Sequence, residues 1–127
     1  MAHIRSYLTL IALILILGCG PETIFMRPSL DTPSQHVTNG QQLLERGKIE
    51  DAYREFSRAK ELNPQYTPAY IGLGIALGHK GDLNNGLKFL DQAKHLAASS
   101  EERAAVQNGY DQFYAIVKAN PPPPPTQ

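Results

Sequence analysis

The chain has no tryptophan and only one cysteine, Cys19, among its 127 residues. A lone cysteine closes no internal disulfide, so the fold is not cross-linked. Neither sign of charge is in excess: lysine plus arginine and aspartate plus glutamate number 12 each. Nucleic-acid binding needs clustered positive charge to release counterions from phosphates, and that cluster is missing. Arg54, Arg58 and Lys60 instead alternate with Glu50, Asp51, Glu55 and Glu61, as on a solvated helix face where Glu50 and Arg54 pair at i,i+4. Metal-site spacings are missing too. His3, His36, His79 and His95 fall in separate segments, without an HExxH pair. No nucleophile stands between glycines in a catalytic motif. No apolar run approaches the roughly 20 residues that span a bilayer. The chain therefore reads as non-enzymatic, with no cofactor and no metal expected.

What is present begins with residues 1–18, MAHIRSYLTLIALILILG. The terminal amine, His3 and Arg5 make a weakly positive start, and an apolar run follows from Tyr7 to Leu17. That run has the length of an export-signal core. Ile16-Leu17-Gly18-Cys19 comes at its end. This stretch resembles the bacterial lipobox. The resemblance implies that residues 1–18 are a lipoprotein signal peptide and that Cys19 becomes the mature amino terminus. Its sulfur would carry diacylglycerol and its amine an acyl chain such as palmitate. Several acyl chains give stable attachment where a single chain gives only marginal binding. A plain secretory signal or an uncleaved anchor with an incidental cysteine is the alternative. Gly20 stands where an aspartate would favour the inner membrane. In a Gram-negative host the resemblance therefore implies the periplasmic face of the outer membrane. Residues 19–32 read as a tether, broken by Pro21 and Pro28 and carrying one short apolar cluster, Ile24 to Met26.

Beyond the tether the chain repeats itself. Residues 33–66 and 67–100 align at an offset of 34. Gly40 then falls on Gly74, Leu43 on Leu77, Gly47 on Gly81, Ala52 on Gly86, Phe56 on Leu90, Ala59 on Ala93 and Leu62 on Leu96. Every pair keeps its size class. The pattern resembles that of the tetratricopeptide-repeat (TPR) family. The resemblance implies an all-α fold of two helix–turn–helix hairpins, 33–66 and 67–100, in a right-handed α-solenoid. In it Gly40 and Gly74 allow close helix approach, and Phe56 and Leu90 fill the space between helices. Gly47 and Gly81 end the first helix of each hairpin, where the chain must leave helical geometry. His36 and Asn39 replace the aromatic and leucine of the family pattern, so the first repeat is the weaker match.

Residues 101–119 extend this as a capping helix. Ser99 and Glu102 have capping-box spacing. Val106, Tyr110, Phe113, Tyr114 and Val117 form one apolar stripe at helical period. Residues 120–127 are a tail with five prolines, Pro121 to Pro125, expected to be disordered with polyproline II character. Two repeats and a cap make a small solenoid, since about three repeats are usual. Self-association into a homo-oligomer is the other way to cover apolar surface.

Gly72, Gly74 and Gly78 superficially suggest a nucleotide loop, but the repeat register places all three inside one helix, where Gly72 and Gly78 are expected only to weaken it. The remaining function is binding. By resemblance the partner-binding concave face carries Val37, Gln41, Leu44 and Glu45 in the first repeat and Ile71, Ile75 and His79 in the second. It has no asparagine–lysine–arginine clamp for a terminal carboxylate. An extended or helical segment held by apolar contacts suits it better. The competing arrangement has the capping helix covering Ile71 and Ile75. The expected role is a lipid-anchored adaptor that mediates protein–protein contacts at the cell envelope, in pilus, secretion or envelope assembly. The alternative is a regulatory subunit that docks on an envelope enzyme such as a peptidoglycan hydrolase.

Overall fold

The computed structural model describes residues 31–121. The expected signal segment 1–18, Cys19, the expected tether up to residue 30 and the tail from residue 122 lie outside the described residues. Within them the chain is all-helical, with five helices and no strand: α1 Pro33–Glu45, α2 Ile49–Leu62, α3 Thr67–Lys80, α4 Leu83–Leu96 and α5 Ser100–Ala119.

Local chemistry sets several of the boundaries. Thr32 caps α1 by accepting from the Gln35 amide at 3.3 Å, and Pro33 occupies the first turn, where no amide is needed. The Asp82 side chain caps α4 through the Asn85 amide at 3.3 Å. At α5 the capping box is complete: the Glu102 amide donates to Ser99 Oγ at 3.0 Å, and the Ser99 amide donates to Glu102 Oε2 at 3.2 Å. Two helices end on the same motif. After α1, Gly47 takes φ +71°, and Lys48 and Gly47 amides donate to Leu43 and Leu44 carbonyls. After α3, Gly81 takes φ +78°, and Asp82 and Gly81 amides donate to Leu77 and Gly78 carbonyls. The left-handed backbone is what glycine permits there. Asn63 and Pro64 stop α2, and Asn63 Oδ1 accepts from the Gln65 amide at 3.0 Å.

Three large side chains organise the core, and each sits against glycines of two other helices. Phe56 of α2 lies between Gly40 of α1 and Gly72 of α3. Leu90 of α4 packs on Gly74 of α3 and Gly109 of α5. Phe113 of α5 packs on Gly78 of α3 and Gly86 of α4. None of the three is more than 1% exposed. Burying one such side chain contributes about 1.5–3 kcal/mol. Ala52, Ala59, Ala69, Ala76 and Ala93 are fully buried around them and let the helices close up. Helix α3 is the hub: it packs on all four other helices, and everything from Gly72 to Gly78 is buried.

Four expectations are corrected. Gly72 and Gly78 do more than weaken α3, because they are the surfaces on which Phe56 and Phe113 rest. Tyr114 does not join the packed stripe of α5. It is 56% exposed, and Gly109 takes the buried place between Val106 and Phe113. A side chain there would strike Ile71 and Leu90, so the packed stripe turns toward the smaller residue. Glu50 does not pair with Arg54. It meets Lys80 of α3 at 2.8 Å, while Arg54 pairs with Asp51 on its own helix. Val37 does not face outward; at 7% exposure it belongs to the core cluster with Phe56 and Leu73.

Candidate functional site

Helices α1, α3 and α5 enclose a groove of about 530 Å³. The α1 wall consists of Gln41, Leu44 and Glu45. The floor is apolar: Pro68, Ile71, Gly72 and Ile75 from α3, with the edge of Phe56 beneath. The α5 wall consists of Ala105, Asn108 and Gln112.

Five of the seven residues expected on a binding face therefore meet in one place: Gln41, Leu44, Glu45, Ile71 and Ile75. The other two are elsewhere. Val37 is in the core. His79 is exposed near the end of α3 and does not line the groove; partial burial holds its imidazole below the usual histidine value. The two arrangements weighed for α5 are each partly realised. Gly109 brings α5 hard against Ile71, so Ile71 is half-covered from one side. Ile75 is only 8% exposed yet still lines the groove.

Sequence reasoning missed the α5 wall. Ala105, Asn108 and Gln112 recur at i, i+3 and i+7, a stripe beside the buried Val106, Gly109 and Phe113. That stripe of small and carboxamide residues was the available signal. The apolar stripe next to it marks only the core-facing side of the helix.

The rim is nearly neutral. Glu45 is the only titratable side chain lining the groove. Gln112 Nε2 donates to Asn108 Oδ1 at 2.9 Å, which leaves the Asn108 N–H donors and the Gln112 carbonyl for a ligand. Carboxamides on both walls match the donor and acceptor groups of a peptide backbone. The isoleucines, Leu44 and Pro68 offer apolar contact to its side chains. No serine, cysteine or histidine is among the lining groups.

A second hollow of about 500 Å³ lies among α2, α3 and α4, with Lys60, Lys88, Tyr70 and Phe89 in its lining. Four of its lining residues engage one another. Lys60 Nζ stands 5.3 Å from the Phe89 ring centre, Tyr70 and Phe89 rings are 6.2 Å apart, and the Tyr70 hydroxyl donates to the Pro64 carbonyl at 2.7 Å. Among the described residues no His/Cys/Asp/Glu group is arranged to hold a metal ion, and no helix is long and apolar enough to cross a membrane.

Comparison with protein-family models, curated proteins and solved structures gives no match for this chain.

Proposed function

We propose that the chain is a lipid-anchored, non-catalytic adaptor. On this reading it is built from two TPR hairpins and a capping helix, and it holds a segment of another protein at the bacterial cell envelope. The observation that carries the reading is the α1–α3–α5 groove, with an apolar floor and a carboxamide rim that has Glu45 as its one titratable side chain. Its ligand is an extended or helical segment with apolar side chains and little charge. The repeat reading is supported by the recurrence of the Gly40–Phe56 contact, 34 residues on, as Gly74–Leu90. The anchor rests on the sequence of residues 1–19. Attachment to a membrane raises the effective concentration of partners in the same membrane, so modest affinity is enough.

The test is site-specific photocrosslinking in membranes of producing cells. A crosslinker in place of Asn108, exposed on the groove wall, is expected to capture a discrete partner. The same probe in place of Asn84, exposed on α4 and away from the groove, is the control. Equal products from both positions would remove the groove from the account. Pilus, secretion or assembly components in the Asn108 product support the adaptor, whereas a peptidoglycan hydrolase supports a regulatory subunit. Mass spectrometry of the mature chain is expected to find Cys19 at the amino terminus with three acyl chains. An intact leader with a free thiol would dispose of the anchor.

A further inference from the structure

The first residues of the described chain are fastened to the domain by ionisable groups. Asp31 precedes α1, His36 lies on α1, and Glu55 and Arg58 lie on α2. His36 Nε2 is 2.5 Å from Asp31 Oδ1, and His36 Nδ1 is 2.8 Å from Glu55 Oε2. Arg58 Nη2 donates to the other Asp31 oxygen at 2.6 Å, and Asn39 Nδ2 donates to Glu55 Oε2 at 3.2 Å. Glu61 stands 3.4 Å from Arg58 Nη1 at the outer edge.

The geometry determines the protonation of the ring. A carboxylate only accepts hydrogen bonds, and a neutral imidazole carries one N–H. Carboxylates at both ring nitrogens are satisfied together only by the imidazolium. Once the ring loses a proton, one carboxylate faces a nitrogen lone pair. Asp31, Glu55 and Glu61 then share Arg58 as their only cation in the cluster. The His36 side chain is 18% exposed, so water screens this loss incompletely.

We propose that Asp31, His36, Glu55 and Arg58 form a proton-dependent latch, which closes Asp31 and Thr32 onto α1 and α2 when His36 is protonated and releases these two residues when His36 is neutral. None of the four lines the groove, so the latch acts on how the domain is held and not on the ligand surface. Under the anchored arrangement proposed above, Asp31 is the point where the tether becomes part of the domain. The latch itself stands independently of that arrangement.

The direction of titration agrees. The Asp31 hydrogen bond, opposed by burial and aided by Glu55, raises the His36 pKa above its ordinary value. Arg58, then His36, lowers that of Asp31. A raised histidine value means that the His36 contribution to stability is complete below about pH 6.5, the unfolded value, while the Asp31 contribution is lost only where pH falls through the lowered value of that carboxyl. The His36 contribution is lost as pH rises through the folded value.

The experiment is an NMR titration of the full-length chain in detergent micelles, with histidine rings labelled and His36 assigned by its absence in H36Q. His36 is expected to titrate above the same residue in the urea-unfolded chain. Its midpoint is expected to fall in both D31N and E55Q. In parallel, hydrogen exchange at the Gln35 and His36 amides, which bond to Thr32, reads the latched turn. Their protection is expected to drop across the His36 midpoint in the natural chain and to stay level in H36Q, after correction for intrinsic exchange. A His36 midpoint at or below the unfolded value would overturn the latch. So would the same loss of protection in H36Q, or midpoints unmoved in both carboxylate variants.

Discussion

Replacing Gly72 with alanine sets two effects of known size against each other. Alanine in a helix interior is favoured over glycine by about 1 kcal/mol, so a helix with spare room at residue 72 would gain from the change. There is no room. A methyl at that position would come 2.3 Å from Phe56 Cδ1 and 2.4 Å from Cε1. The ring cannot retreat, because its other face rests on Gly40, where an added carbon would stand 2.6 Å from Cε1. Overpacking of a closed core costs about 1–3 kcal/mol, and a ring held on both faces belongs at the upper end. The net expectation for G72A is a loss of about 2 kcal/mol. At roughly 4–8 °C per kcal/mol for a domain of this size, Tm falls by about 8–16 °C. Thermal unfolding followed by circular dichroism measures it. The companion is F56L, which removes the ring edge and restores room. If Gly72 is a contact surface, G72A and F56L couple by about 1 kcal/mol or more in a double-mutant cycle, G72A costing less beside leucine. A G72A chain as stable as the natural one, or more so, would refute the packing argument and leave Gly72 as a mere flaw in the helix.

Two further outcomes follow from the same coordinates. Gly81 has nothing within 4 Å of an added Cβ but holds φ +78°, so G81A is expected to cost roughly 1–2 kcal/mol through backbone strain alone. Urea denaturation would show this as a lower midpoint at unchanged slope, and G47A, at φ +71°, is expected to match it. Tyr110 donates to Asp91 Oδ1 at 2.5 Å, and burial, then that carboxylate, raises its pKa. The unfolded chain therefore gives up this proton first, and stability declines as pH rises past about 10. Urea midpoints between pH 9 and 11 are expected to decline less in Y110F; an equal decline in both chains would show that Tyr110 is not the group responsible.

The helical class and the glycine turns were legible because each is written in local sequence. A left-handed turn at Gly47 or Gly81 needs only glycine after a periodic stretch, and the α5 cap needs only Ser99 and Glu102 three apart. What escaped depends on residues far away in the chain. Gly72 looks like a weakness in α3 until Phe56 is placed against it. Lys80 meets Glu50 across two helices. His36 reads as a lone histidine in the sequence, and becomes the centre of an ionic cluster only when α2 lies alongside α1. The groove was half legible: five residues of its α1 and α3 walls followed from the family resemblance, but the α5 wall required knowing how Gly109 rotates that helix.

The glycines of α3 also have a consequence for the order in which the molecule comes into being. Gly72, Gly74 and Gly78 each cost about 1 kcal/mol of helix propensity relative to alanine. Alone, the segment is a poor helix. The side chains that compensate are Phe56, Leu90 and Phe113, one from each of three other helices, and the last belongs to α5. A nascent chain emerges amino end first. Its central helix has no complete set of neighbours until residue 113 is free, so a truncated chain lacks the means to settle early. The hub is the third of the five described helices, but the step that consolidates it waits for the fifth.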